Sequence, residues 1–386
     1  MNDSADLAPI REAVRALCVG FPGEYWRRLD RERAYPEEFV AALTKAGFLA
    51  ALIPEEYGGS GLTMSAAIAI MEEIQAAGCN GAGCHAQMYT MGTVLRHGSA
   101  EQKKRYLPGI ASGELRLQAF GVTEPTSGTD TLSLRTTAVR DGNDGYVVNG
   151  QKIWTSRAEH SDLMLLLVRT TPREQVKKRT EGLSVFLVDM REVKGKGLTI
   201  RPIRTMMNHA TAEVFFENMR VPAENLVGVE GEGFRYILSG MNAERILIGA
   251  ECIGDAKWFI QKATHYAGER VVFDRPIGQN QGVQFPIARA YINMRAAELM
   301  VREAAALYEA GKDCGAEANM AKHLAAEASW AAADMCLQTH GGFGFAEEFD
   351  IERKFRETRL YTVAPISTNL VLSYIAEHVL GLPRSY

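Results

Sequence analysis

Apolar positions recur at helical spacing from about Ala5 to Glu114, in an alanine-rich stretch interrupted at Gly47, Gly58-Gly59, Gly78 and Pro108-Gly109. That period, broken by glycine and proline, predicts a helical unit. From about Leu115 to Pro222 the pattern becomes short, β-rich runs: Tyr146 to Val148, Leu163 to Val168, Leu183 to Val188, Leu198 to Ile203 and Glu213 to Phe216. Turn residues such as Asp141-Gly142-Asn143-Asp144-Gly145 separate them, so a small barrel or sandwich is expected. After Gly231 the helical period returns in long segments such as Phe234 to Arg270 and Glu317 to Thr339, which pack as a bundle. The chain thus divides into helices (1–114), strands (115–225) and helices (226–386), a multidomain α+β fold.

A length of 386 residues supports two or three such units with a large shared core. Hydrophobic residues at 46% and charged residues at 23% fit a globular protein, and no apolar run reaches the length of a membrane span. The formal charge of −4 offers no field for nucleic acid. Six scattered cysteines, Cys18, Cys79, Cys84, Cys252, Cys314 and Cys336, suggest reduced thiols and a cytoplasmic location. Met1 to Pro9 does not resemble a secretory or mitochondrial leader, and Pro383 to Tyr386 is not a peroxisomal address.

Read alone, each motif is weak. Val122-Thr123-Glu124-Pro125-Thr126-Ser127-Gly128-Thr129-Asp130 can present hydroxyl and N–H donors to an anion or polar ring, and equally can be a capped turn. Gly341-Gly342-Phe343-Gly344-Phe345 follows a helix rather than a strand, so it is no Rossmann fingerprint. Cys79 to His85 fits neither haem attachment nor a zinc knuckle, which leaves structural cysteines, a loop histidine and no metal. Within Met241-Asn242-Ala243-Glu244-Arg245-Ile246, helical spacing puts Leu238, Met241, Arg245 and Ile248 on one side and Glu244 at its edge. Most such Glu-Arg pairs are solvated.

Taken in order, these pieces resemble the acyl-CoA dehydrogenase family from about Arg11 to Leu382. Ile53-Pro54-Glu55-Glu56-Tyr57-Gly58-Gly59-Ser60-Gly61, Val122-Thr123-Glu124-Pro125 with Gly128-Thr129-Asp130, and Asn149-Gly150-Gln151-Lys152-Ile153-Trp154-Thr155-Ser156 carry the likeness, with Gly231-Glu232-Gly233-Phe234, Gln338 and Gly341-Gly342-Phe343-Gly344. The resemblance implies a helical domain, a central β-barrel and a C-terminal four-helix bundle, in a homotetramer (a dimer of dimers) that holds FAD and passes electrons to an electron-transferring flavoprotein. It implies that Phe120, Val122 and Thr123 line the isoalloxazine, Trp154 stacks near it and Ser156 reaches its N5 edge. Gly128 and Thr129 would meet flavin phosphate or the pantetheine arm of an acyl-CoA substrate. Arg270 and Phe273 would serve a neighbouring subunit's dinucleotide, beside Ile277, Asn280, Gln281, Gln338, Gly341 and Gly342, and Ser367 and Asn369 also match flavin contacts.

Dehydrogenation at Cα and Cβ requires a base, and much of the family places it on a glutamate four residues after a tyrosine near the C-terminus. Counting from Tyr361 lands on Pro365. The isovaleryl-CoA and long-chain branches instead carry the base on the long helix, immediately before an arginine, which implies Glu244 as base and Arg245 as a residue orienting the site or substrate. Ala364 and Pro365 occupy the thioester position, but proline has no N–H to give the carbonyl, so Ile366 N–H or another donor must replace it. Alternatives on the same fold are desulfination, enoyl-CoA reduction, or a non-catalytic flavoprotein like the DNA-associated branch, whose added basic C-terminal region this chain lacks.

Overall fold

The computed structural model describes residues 7–142 and 144–384. The turn residue Asn143, and parts of the two terminal segments read above, lie outside them. The first unit comprises α1 (Ala8–Val19), α2 (Gly23–Glu32), α3 (Glu37–Lys45), α4 (Met64–Ala76), α5 (Ala82–His97) and α6 (Ala100–Ser112). Local chemistry sets several starts: the Thr63 hydroxyl accepts from Ala66 N–H ahead of α4, and Ser99 and Gln102 form a capping box on α6.

The middle unit is one eight-stranded sheet. Its strands are β1 (Ala119–Gly121), β2 (Thr137–Asp141), β3 (Gly145–Lys152), β4 (Leu163–Arg169), β5 (Leu183–Asp189), β6 (Leu198–Pro202), β7 (Ala212–Pro222) and β8 (Leu226–Val227). Pairing runs β6-β7-β3-β2-β4-β5-β8, with β1 parallel on β4. Where the sequence suggested a barrel, this path has two ends, β6 and β8, that do not pair. β4 is apolar without a break from Leu163 to Val168, and β5 from Val185 to Val188, because both faces are covered. Leu163, Leu165 and Leu167 face a core shared with α6, and Met164, Leu166 and Val168 face a second core with Tyr146 and Phe186.

A short α7 (Met190–Val193) follows β5, and the C-terminal unit is built on α8 (Gly233–Glu269), α9 (Gln281–Glu309) and α10 (Gly315–His340), with α11 (Ile351–Thr358) and α12 (Thr368–Tyr374). A hairpin of β9 (Val271–Val272) and β10 (Arg275–Pro276) joins α8 to α9. α8 packs against α9 and α10 on one side and against α4 and α5 on the other. Every residue from Ala243 to Ala256 is consequently buried. Each large apolar side chain there, such as Ile246, Leu247 and Ile253, contributes about 1.5–3 kcal/mol of burial. Gly254 permits the close approach, since a Cβ there would collide with Glu72 O and lie 2.6 Å from Gln75 Cβ.

Candidate functional site

The loop Val122 to Asp130 is held by a buried ion pair. Lys152 at the end of β3 is fully buried, with Nζ 2.8 Å from Glu124 Oε1 and donating to Val122 O at 3.0 Å. The Glu124 carboxylate also accepts from Arg135 N–H (2.6 Å) and Thr136 N–H (2.9 Å). Burial raises the Glu124 pKa, but Lys152 and these donors outweigh it and hold it below the usual range. Gly128 and Thr129 are exposed beyond this anchor.

After β3 the chain turns through two left-handed residues that are not glycine, Trp154 and Arg157, each with φ 61°. Such strain persists only where neighbours impose it. Here Ile153 N–H donates to Thr123 O (2.9 Å), Thr155 exchanges backbone bonds with Ala212, and Arg157 N–H donates to Ala210 O (2.7 Å). The outcome is an indole left 56% exposed, next to a residue whose backbone is bonded to Thr123 in the segment that follows β1. Ser156 Oγ lies 3.2 Å from Thr211 Oγ1, and the buried Thr155 hydroxyl has no partner among the described residues. A broad aromatic face with hydroxyls at its edge suits a planar, heteroatom-rimmed ring, so these residues fit a flavin.

Glu244 departs from the solvated pair its spacing suggested. Its side chain is 7% exposed on the enclosed stretch of α8, whereas Leu238, assigned to the apolar side, is 42% exposed. A helix wrapped on all sides has no solvated face, so periodicity misjudged this one. Burial raises the Glu244 carboxyl to about 7, only partly offset by His85, Arg245 and Lys322, and it has no hydrogen-bond partner among the described residues. Arg245, also buried, donates from Nη1 to Asn242 Oδ1 at 2.8 Å. Lys322 of α10 is buried and donates to Ile366 O at 2.8 Å, which ties the Ala364-Pro365-Ile366 segment to the bundle. Among the described residues Ile366 N–H meets no acceptor, and the Ser367 hydroxyl caps α12 by accepting from Leu370 N–H.

His85, expected in a loop, is instead buried on α5, with Nδ1 2.6 Å from Glu251 Oε1. Glu251 stands two turns beyond Glu244 on α8, about 10 Å along the axis. Its other oxygen accepts from Tyr361 (2.9 Å) and Gln75 (3.0 Å), and Gln75 Oε1 accepts from Lys354, which also pairs with Asp255. Burial raises Glu251, but His85, Tyr361 and Gln75 prevail and hold it low. This network escaped sequence reading because its members come from α4, α5, α8, α11 and the segment after it. The one available signal was the i, i+7 spacing of Glu244 and Glu251.

The remaining predicted residues gather elsewhere. Arg270 lies over the Phe343 ring at 5.7 Å, bringing the hairpin with Phe273, Ile277, Asn280 and Gln281 to the end of α10 that carries Gln338, Gly341 and Gly342. Phe273 is 94% exposed, and a Cβ on Gly341 or Gly342 would meet open space. No hydrogen bond or ring contact joins this group to Trp154 and Ser156 within the described residues of the chain.

Three family descriptions match the chain: acyl-CoA dehydrogenase N-terminal domain over residues 4–114, middle domain over 119–219 and C-terminal domain over 231–380. An acyl-CoA dehydrogenase of Mycobacterium tuberculosis is 36% identical across 100% of this chain and 98% of its own. An acryloyl-CoA reductase (NADH) of Anaerotignum propionicum is 33% identical across 91% of this chain and 89% of its own. The solved glutaryl-coenzyme A dehydrogenase glutaryl-CoA complex superposes with TM-score 0.92 at 29% identity, covering 100% of this chain and 98% of that one.

Proposed function

From the premise that this chain belongs to the acyl-CoA dehydrogenase family of FAD-dependent oxidoreductases, we propose that it converts an acyl-CoA to the trans-2-enoyl-CoA with Glu244 as the α-proton base. The observation that carries this reading is the Glu244 carboxyl itself: desolvated, free of hydrogen bonds among the described residues, and titrating at about 7. A base must be unpaired to accept a proton and have a pKa near the working pH. Arg245 and Lys322 flank it and stabilise the ionised form.

FAD, when bound, supplies the acceptor for the β-hydride. For the chain's own part, Phe120, Val122, Thr123 and Trp154 provide the aromatic and apolar surface for its ring, and Ser156 a hydroxyl at the ring's edge. Gly128, Thr129, Ser367 and Asn369 are the adjoining contacts. The thioester lies against Ala364 and Pro365, with the free Ile366 N–H as the donor that replaces the one proline lacks. Arg270, Phe273, Ile277, Asn280, Gln281, Gln338, Gly341 and Gly342 complete the dinucleotide site of a neighbouring copy in a homotetramer. An electron-transferring flavoprotein then reoxidises the enzyme.

Anaerobic titration of the FAD-loaded protein with a panel of straight, branched and cyclic acyl-CoA thioesters tests the reading: bleaching with loss of two hydrogens from the thioester supports it, and an unbleached flavin throughout rejects it. The reductase relative favours a second reading, in which the same site saturates an enoyl-CoA. Mass analysis of the product separates the two, because the thioester gains two hydrogens in that case.

A further inference from the structure

Among the described residues, Arg157 is a buried cation without a counter-ion. It is 7% exposed, and among the described residues its Nε has no acceptor and the one hydrogen bond its guanidinium makes is from Nη1 to His209 Nε2, at 3.4 Å. The opposite nitrogen of His209, Nδ1, is also buried without a partner among these residues. Burial, then Arg157 and His85, drive the His209 pKa well below its usual value, so its ring is a neutral donor or acceptor. Gln118 uses Oε1 to accept from Tyr35 (2.7 Å), and its buried Nε2 has no acceptor among the described residues. His85 Nε2 is a fourth orphan.

These groups converge. Tyr35, Asn80, Gly83, Arg157 and His209 line one cavity, and a Cβ on Gly83 would lie 3.5 Å from both Gln118 Nε2 and Tyr35 Oη. The carboxylates in reach are already committed: Glu251 to His85, Glu357 to Arg353 and Lys354, and Asp30 to Arg356. A buried guanidinium without a counter-ion is costly, and its orphaned Nε–H calls for an acceptor. The cluster also shares charged neighbours with Glu244. His85 acts electrostatically on both Glu244 and His209, and Glu244 and Arg157 both act electrostatically on Tyr89.

We propose that the acyl group ends in a carboxylate, which Arg157 binds with His209 and Gln118, making Arg157 the residue that selects an acid-terminated acyl thioester. The inference rests on the dehydrogenase reading above and deepens it. A guanidinium pairs with a carboxylate through charge-assisted, geometrically matched bonds, so the acid end would satisfy in one step the groups that now lack partners.

The test uses the FAD-loaded enzyme with glutaryl-CoA and adipyl-CoA against butyryl-CoA and hexanoyl-CoA, reading anaerobic flavin bleaching and, separately, the shift of the flavin spectrum on binding. The expected result is a kcat/KM at least 30-fold higher for an acid-terminated thioester than for the neutral ones. Arg157→Met should lower that ratio at least 30-fold, with Arg157→Lys between the two. Preference of the wild-type enzyme for neutral thioesters overturns this inference alone, as does an Arg157→Met enzyme with an unchanged ratio. A flavin that no thioester bleaches overturns the dehydrogenase reading and this one with it. If Arg157→Met fails to retain FAD, His209→Ala and the wild-type preference decide.

Discussion

At the residue scale, the proposed function turns on what burial does to Glu244. A carboxyl raised to about 7 is protonated below that pH and ionised above it, so kcat/KM for flavin reduction should rise through about pH 7 and level off. A stopped-flow pH profile reads this directly. Stability runs in the opposite sense. The folded protein holds the Glu244 proton more tightly than the unfolded chain does, so this contribution is full below about pH 4.5 and is lost as pH rises to about 7. The loss is about 3 kcal/mol. Glu244→Gln should therefore retain FAD, abolish nearly all thioester-driven bleaching, and unfold at higher denaturant than wild type at pH 8. Unchanged bleaching by this variant would remove Glu244 from the role of base.

At the element scale, two contacts set the site's geometry. The Lys152–Glu124 pair joins β3 to the loop that follows β1, and both partners are buried. Lys152→Met would leave Glu124 facing Arg135 and Thr136 N–H without its cation. Removing one partner of a buried pair costs about 3–5 kcal/mol. The variant should unfold at lower denaturant by that amount and retain less FAD, measured by the flavin-to-protein absorbance ratio. The second contact is the approach of α8 to α4 at Gly254. Any Cβ meets the Glu72 carbonyl and Gln75, so Gly254→Ala forces the helices apart at a cost of about 1–3 kcal/mol. Because Gln75 also bonds Glu251, that variant should slow flavin reduction as well as lower the thermal midpoint.

At the scale of the whole molecule, the C-terminal unit leaves large apolar side chains in water: Phe273, Phe285, Ile292, Leu299 and Phe345 are all exposed in the single chain. Surfaces of this kind mark association, and the separation of the Arg270 group from the Trp154 group is what a site shared between copies requires. Light scattering should give a tetramer. Arg270→Ala should lower FAD retention without altering the far-ultraviolet circular dichroism, and a variant that keeps full flavin would argue against a shared dinucleotide site.

What the chain determined by itself was the order of units and the extents of the long helices. Phe234 to Arg270 and Glu317 to Thr339 coincide closely with α8 and α10, because local periodicity and glycine stops act over a few residues. The ordered motifs likewise disclosed the family, and counting from Tyr361 disclosed the proline in the usual place of the base. Only the tertiary structure decided the chemistry of the charged groups. Among the described residues Glu244 is unpaired, Glu251 is held by His85, and Arg157 lacks a counter-ion, because segments distant in sequence exclude water from them and supply or withhold partners. Desolvation and pairing are sums over spatial neighbours, and one-dimensional spacing does not contain them.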